Sequence, residues 1–190
     1  VADTTSAYAA YSVGGMPTTD NMEDLIKLNI AAYYLSDYSL ETIRVKMGAY
    51  GAWARVRGTS MLFFSYRTPK PLESIDYYKG LVNNVINNPV SLSIFEAAKR
   101  KAFSDFIAYY SNRALARREE NYWLKGEKLE NVWRRNINLI LSYTEKDMIA
   151  ILEKYFNKNN TENICITTNK DFVDENSLLL QDYMKIEIPL

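Results

Sequence analysis

The feature that most constrains the fold of this chain is a pair of strand-like stretches, residues 48–57 and 61–67, separated by Gly58-Thr59. Two extended stretches on either side of a short glycine-containing turn predict an antiparallel hairpin. Gly48 and Gly51 lie inside the first stretch, where glycine weakens a strand. Glycine at such positions is typical of places where another group must approach the backbone closely, so the hairpin is a candidate binding site.

The rest of the chain is predicted to be mostly helical. A strand over residues 6–13 precedes a helix over residues 21–36, for which Asp20 and Glu23 form a capping-box-like start. Four later helices are marked by apolar residues at helical spacing: Ile75, Tyr78, Val82 and Val85; Phe95, Phe103, Phe106 and Tyr110; Leu129, Trp133 and Ile140; Met148, Ile151, Leu152 and Tyr155. Strands over residues 164–167 and 184–188 follow.

This order of elements predicts one α+β domain over residues 1–190. We expect a two-layer sandwich in which a mostly antiparallel sheet carries helices on one face. The chain has 190 residues, of which 47% are hydrophobic, and this is enough to form a core.

The composition disfavours several classes of function. Basic and acidic residues number 23 each, and this zero net charge argues against binding to a nucleic-acid backbone or to an anionic membrane. No apolar stretch approaches the ~20 residues that span a bilayer, and we expect no signal peptide. The single cysteine, Cys165, excludes an internal disulfide and fits a reducing compartment, either the cytoplasm or an organelle lumen.

The sequence contains no histidine. Zinc in catalytic sites is normally held by imidazole or thiolate ligands, so this chain is predicted to bind no metal itself. Catalysis by Ser–His–Asp or Cys–His groups is excluded for the same reason. Cys165 lies between two isoleucines on a predicted strand, and we expect it to be a buried, inert thiol.

Arg44 and Tyr50 are the candidate functional side chains. If residues 43–53 form one extended stretch, the even spacing of the two residues lets them face the same way, and Tyr50 would share the face of Ala52. A guanidinium and a phenol beside a glycine-lined backbone are suited to donate hydrogen bonds to a peptide carbonyl whose oxygen gains charge during hydrolysis. The alternative is that Tyr50 packs against the sheet and Arg44 is a solvated charge, and the spacing alone leaves both interpretations open.

A family resemblance bears on this choice. The pattern Ile43-Arg44-x-Lys46-x-Gly48-Ala49-Tyr50-Gly51, followed by Phe64-Ser65-Tyr66-Arg67-x-Pro69, resembles the last domain of presequence-protease-like peptidases in the insulinase/pitrilysin family of zinc metallopeptidases. The resemblance is sharp over residues 42–69 and elsewhere rests on the order of elements. Met47 stands where the family usually has Gly, and Thr68 where it usually has Asp.

The resemblance implies the zinc-less C-terminal domain of a metalloendopeptidase that degrades unstructured peptides. Its expected partners are peptide substrates and the N-terminal half of the same polypeptide, which would bind the zinc; this chain alone would bind none and would be inactive. Arg44 and Tyr50 would contact the scissile carbonyl and stabilise the transition state. Gly48, Ala49 and Gly51 would form the adjacent substrate-binding backbone.

Two other functions remain open at this point. The chain could be a non-catalytic scaffold subunit of the same fold, although a pure scaffold need not retain the Arg44–Tyr50 pair. It could also be a stand-alone module that binds an extended peptide by adding it as a strand to the edge of its sheet.

Overall fold

The fold is organised around a four-stranded antiparallel sheet with the strand order β2-β3-β1-β4. The computed structural model describes residues 6–107, 111–156 and 160–186. The strands are β1 (Ala7–Gly14), β2 (Gly51–Arg57), β3 (Ser60–Thr68) and β4 (Glu162–Thr167). Strands β2 and β4 lie at the edges of the sheet, and β1 lies between β3 and β4.

Helices cover one face of the sheet. They are α1 (Met22–Leu40), α2 (Pro71–Asn87), α3 (Leu92–Phe106), α4 (Asn112–Trp123), α5 (Leu129–Ser142), α6 (Glu145–Phe156) and α7 (Lys170–Glu175). A π-helical segment, Glu41–Lys46, continues directly from α1. Helix α1 contacts β2 on one side and α2, α3, α5 and α6 on others, so it lies at the centre of the helical layer.

The strands follow the two-residue periodicity of a sheet with one buried face. In β2, Ala52 and Ala54 are buried against the helices, whereas Trp53, Arg55 and Arg57 are exposed on the opposite face. The same alternation runs along β1 and β3. The predicted α+β architecture, with helices on one face of an antiparallel sheet, is therefore confirmed.

The predicted hairpin and one predicted helix start are also confirmed. Gly58 forms the β2–β3 turn with a φ of 58°, which glycine adopts without strain. At the start of α6, the Asp147 N–H donates to the Thr144 hydroxyl and the Asp147 carboxylate accepts the Thr144 N–H. Helix α1 begins at Met22, one residue later than predicted, because the Asn21 side chain, and not that of Asp20, accepts a hydrogen bond from a first-turn amide.

Several predictions at the ends of elements were wrong. Residues 43–53 are not one strand, since α1 continues as a π-helical segment and β2 begins only at Gly51. Residues 184–186 are not in a strand, although their alternating pattern suits one, and the Met184 side chain is 84% exposed. Residues 187–188, like Tyr110, lie outside the described residues.

The burial of Cys165 was also predicted wrongly. Cys165 is exposed on β4, where it pairs with Ala10 of β1, while Ile164 and Ile166 pair with Tyr11 and Ala9. Because side chains alternate along a strand, burying the two isoleucines places the thiol on the opposite, open face.

A hydroxyl group fixes α1 to the edge strand β2. The buried Ser36 hydroxyl accepts the Ala54 N–H at 2.7 Å and lies 3.0 Å from the Ala54 carbonyl oxygen. It also lies 2.8 Å from the Ala32 carbonyl oxygen one turn earlier in the helix. Ala54 points these backbone groups away from β3, so Ser36 supplies the partner that an edge strand lacks.

We expect Ser36→Ala to lower the free energy of unfolding by about 1–3 kcal/mol, because it leaves the buried Ala54 N–H without an acceptor. Urea denaturation measures the change. Ser39→Ala is the matched control, since the Ser39 hydroxyl donates only to the Ser36 carbonyl at 2.9 Å and leaves no orphaned amide. A Ser39→Ala loss as large as that of Ser36→Ala would contradict the bridging role.

Candidate functional site

The candidate site lies where α1 ends and β2 begins. In the π-helical segment the Met47 N–H donates to the Thr42 carbonyl at 3.0 Å, and the Ala49 N–H then reaches back to the Ile43 carbonyl at 3.1 Å. Gly48 turns the chain with a φ of 80°. π-Helical turns are rare and frequently occur at functional sites, because the inserted residue changes the direction of the following side chains.

Arg44 occupies the exposed side of this π-helical segment. Ile43 is fully buried and anchors the segment, while Arg44 is exposed beside it. Lys46 is paired with Glu41 at 3.4 Å, but within the described residues the Arg44 guanidinium makes no ion pair or side-chain hydrogen bond. Its donors therefore remain open to a ligand.

Tyr50 is exposed between buried neighbours. Its side chain is 65% exposed, whereas Ala49 is 3% exposed and Gly51 is buried. The Tyr50 N–H donates to the carbonyl oxygens of Tyr66 at 3.0 Å and Arg67 at 3.3 Å. The backbone is thus fixed while the phenol projects outward, and within the described residues its hydroxyl has no hydrogen-bond partner.

The expectation that Tyr50 would share the face of Ala52 was wrong. Ala52 faces the helices, whereas the Tyr50 ring meets the Tyr66 ring edge-on, with centroids 5.7 Å apart, on the open face of the sheet. The parity argument fails because Tyr50 precedes the first residue of β2.

The glycines of the site have different surroundings. A Cβ on Gly51 would lie 2.8 Å from the ring atom Cη2 of Trp53, so the group that needs the bare backbone here is the protein's own indole. At exposed Gly48 the left-handed φ requires glycine, and a Cβ there would lie 3.4 Å from Cγ of Pro69. Of the three predicted backbone contacts, Gly48 is the one exposed to solvent, while Ala49 and Gly51 shape the loop from within.

An aromatic cluster, missed in the sequence, surrounds Tyr50 on the open face of the sheet. Its members are Tyr8, Tyr50, Trp53, Phe64 and Tyr66. Tyr66 is central: its ring lies 5.2 Å from that of Tyr8 and 6.1 Å from that of Trp53. The alternation of Trp53, Phe64 and Tyr66 with buried residues was the available signal, but pairing β1 with β3 was needed to bring Tyr8 beside them.

Arg67, which lies within the family pattern but was not a predicted site residue, also lies at the site. It has a φ of 49°, a left-handed conformation that costs a non-glycine residue ~1–2 kcal/mol. Its guanidinium lies 5.4 Å from the centroid of the Tyr66 ring. A hydrogen bond with the Tyr8 hydroxyl raises the pKa of Arg67, and the nearby Tyr66 adds to this effect. Strained residues cluster at functional sites.

Thr68, which departs from the family pattern, is the last residue of β3 and lies two residues before the N-cap of α2. Its buried hydroxyl accepts the Lys70 N–H at 3.1 Å and lies 3.3 Å from the Ser74 hydroxyl oxygen. The Thr68 hydroxyl therefore acts as a neutral acceptor beside the first turn of α2, and no charged group is required there.

The architecture is shared with solved structures of peptidase domains. An inactive peptidase domain from Bordetella parapertussis superposes with a TM-score of 0.71 at 14% identity, covering 90% of this chain and 96% of that one. The peptidase M16 inactive domain from Pseudomonas fluorescens gives 0.63 at 13% identity, over 85% of this chain and 41% of that one. Pitrilysin gives 0.60 at 11% identity, over 86% of this chain and 19% of its own length.

This chain has the fold of M16-type inactive peptidase domains. The resemblance inferred from residues 42–69 is thus confirmed at the level of the fold. No family model and no curated protein sequence matches the chain.

The described residues contain neither a candidate metal-binding group nor a helix able to span a membrane. No group of three or more Asp, Glu, Cys or His residues within them has an arrangement that would hold a metal. No helix in that part of the chain combines the length and apolarity needed to cross a bilayer.

We expect the Arg67→Gly variant to be more stable than Arg67→Ala by about 1 kcal/mol. Both changes remove the guanidinium, so their difference reports the left-handed backbone, whose relief outweighs the entropy that glycine loses on folding. Urea denaturation gives both free energies of unfolding. At extended Arg57 the order should reverse, with alanine the more stable by ~0.5–1 kcal/mol; the same order at both positions would contradict strain at Arg67.

Proposed function

We propose that this chain is the zinc-less, C-terminal domain of a presequence-protease-like zinc peptidase of the insulinase/pitrilysin family. We further propose that Arg44 and Tyr50 contact the scissile carbonyl of a bound peptide. The observation that carries the proposal is the exposure of Tyr50, whose phenol projects from a backbone fixed by two hydrogen bonds and flanked by buried residues. A tyrosine needed only for packing would be turned inward.

The chemistry follows from the two donors. When a peptide bond is attacked, its carbonyl oxygen gains negative charge, and donors already directed at that oxygen stabilise the transition state more than the substrate. A phenol hydroxyl and a guanidinium are such donors, and neither is used up by neighbours within the described residues. Gly48 lies between them in the sequence and has no side chain, so a substrate could approach the backbone there.

The residues of this chain do not fit a zinc site. Histidine is absent and Cys165 is the only thiol. The described residues also contain no cluster of carboxylates with cysteine that would hold a metal. We therefore assign the metal to the other, N-terminal half of the peptidase, which is the proposed partner, and we assign to residues 1–190 only the stabilisation of the carbonyl oxygen.

The alternatives differ in what they require of this surface. A scaffold subunit would not need the exposed donors of Arg44 and Tyr50. A strand-adding module would need a free sheet edge, and the hydrogen bonds of Ser36 to Ala54 count against addition along β2. Both alternatives can be separated from the proposal by activity measurements.

We expect Tyr50→Phe, tested in the chain assembled with its zinc-bearing half, to lower kcat for a fluorogenic peptide about 10²–10³-fold, because it removes one oxyanion donor. The free energy of unfolding should be unchanged, since the Tyr50 hydroxyl has no partner within the described part of the chain. Tyr122→Phe on α4 is the control and should leave kcat unchanged. Unchanged turnover by Tyr50→Phe would refute the assigned role and favour a scaffold.

We expect the 190-residue chain alone to hydrolyse no peptide, because it has no histidine and its described residues include no metal-binding cluster. The measurement is cleavage of the same fluorogenic peptide by the purified chain, with and without 1,10-phenanthroline. Turnover that the chelator abolishes would mean that this chain binds a catalytic metal, and the proposal would then be wrong.

A further inference from the structure

The open face of the sheet is basic and aromatic. The outward side chains of the four strands are Tyr8, Ala10 and Ser12; Trp53, Arg55 and Arg57; Ser60, Leu62, Phe64 and Tyr66; and Asn163, Cys165 and Thr167. No carboxylate is among these strand positions. Arg67 adds a further positive charge at the end where Tyr50 lies. The face is therefore complementary to a peptide that carries negative charge and apolar side chains.

Arg67 is a cation of this face that packs against an aromatic ring. The Tyr66 ring lies beneath its guanidinium, and the Tyr8 ring packs edge-on against Tyr66, so two neutral side chains surround it. None of the ion pairs among the described residues involves Arg67. A guanidinium has five N–H donors, and an arginine held by neutral groups keeps most of them for a ligand.

The position of Arg67 connects it with the proposed carbonyl-binding residue. The Arg67 carbonyl oxygen accepts the Tyr50 N–H at 3.3 Å, so the two residues are adjacent across the start of the hairpin. Their side chains also share Tyr66, which touches the ring of one and the guanidinium of the other. A peptide chain that passes Tyr50 therefore passes Arg67.

We propose that Arg67 binds a carboxylate of the peptide substrate, and that Tyr8 and Tyr66 position its guanidinium for this contact. Guanidinium and carboxylate pair through two parallel hydrogen bonds, which explains why a fixed orientation is useful. The identification of the ligand as a substrate rests on the proposed function, but the binding itself does not. The carboxylate can belong to an acidic side chain or to the C-terminus of the peptide.

The test measures binding to the 190-residue chain by the fluorescence anisotropy of dansyl-labelled ten-residue peptides that contain one phenylalanine. One peptide has a glutamate and an amidated end, one has a glutamine and a free C-terminal carboxylate, and one has a glutamine and an amidated end. We expect one of the two anionic peptides to bind more tightly than the uncharged one, and this comparison identifies the source of the carboxylate.

For the tighter-binding peptide, Arg67→Gln should raise Kd about 10-fold, because a charge-assisted hydrogen bond is lost. Tyr8→Phe should raise Kd by a smaller factor, since it removes only the orienting hydroxyl. Arg57→Gln, which removes an exposed arginine at the far end of the same face, should change Kd less than 2-fold. Arg67→Gly, which suits the left-handed backbone, is the second variant if Arg67→Gln folds poorly.

Three outcomes would overturn the proposal: equal weakening by Arg57→Gln and Arg67→Gln, equal binding of all three peptides, or binding of none at millimolar concentration. Equal weakening by the two arginine variants would mean that the peptide is attracted by the overall positive charge of the face and not by a specific contact with Arg67. The binding test measures no hydrolysis, so the two proposals can fail separately. Unchanged turnover in Tyr50→Phe would refute the proposed function but not carboxylate binding by Arg67. Failure of the binding test would refute carboxylate binding by Arg67 but not the proposed function.

Discussion

The burial of helix α1 is the constraint on which the rest of the structure depends. Its middle residues face the sheet on one side and other helices on the remaining sides, so α1 has almost no freedom to shift. At its start, Asp24 accepts hydrogen bonds from Lys154 at 2.5 Å and Tyr155 at 2.7 Å. In its second half, Ser36 binds the edge strand. The residues that follow α1 are therefore placed by a helix fixed along its whole length.

The ion pair at the start of α1 illustrates how burial is compensated. Burial by itself would raise the pKa of Asp24, but the hydrogen bonds from Lys154 and Tyr155 outweigh it and lower that pKa. The carboxylate is thus kept charged at a buried position by partners from α6. Since α6 lies in the second half of the chain, this contact ties the first helix to that half, and α6 packs on α2 as well.

The parts of the fold that the sequence predicted are those where one local rule applies. The Gly58 turn, the alternation of Ala52 and Ala54, and the Thr144–Asp147 start of α6 are of this kind. The π-helical segment was missed because apolar and basic residues alternate from Ile43 to Lys46, as they would in a strand. The helix is revealed only by the burial of Ile43 at the end of α1. Helix α4 buries no residue, so no set of core positions marked its bounds in the sequence.

The part of the site that the sequence predicted is the part formed by residues close together in the chain. Arg44, Tyr50 and Gly48 stand in a recognisable pattern, whereas the aromatic cluster forms only when β1 and β3 pair. The left-handed Arg67 is a further case. Nothing in its type or its neighbours signals a positive φ, and the conformation accompanies the register irregularity between Ala7 and Ala9 where β1 pairs with β3.

Under the proposed function, the arrangement of the site would explain why the domain needs a partner. It presents hydrogen-bond donors and cations on an open surface, but it has no histidine and, among the described residues, no metal-binding cluster. Donors of this kind can bind and stabilise a charge, but they cannot generate the nucleophile that creates it. The same fold makes up 96% of one solved peptidase domain and 19% of the solved pitrilysin chain. An open face that carries cations but, among the described residues, no metal-binding group is what the proposed function predicts for a domain whose site is completed by another.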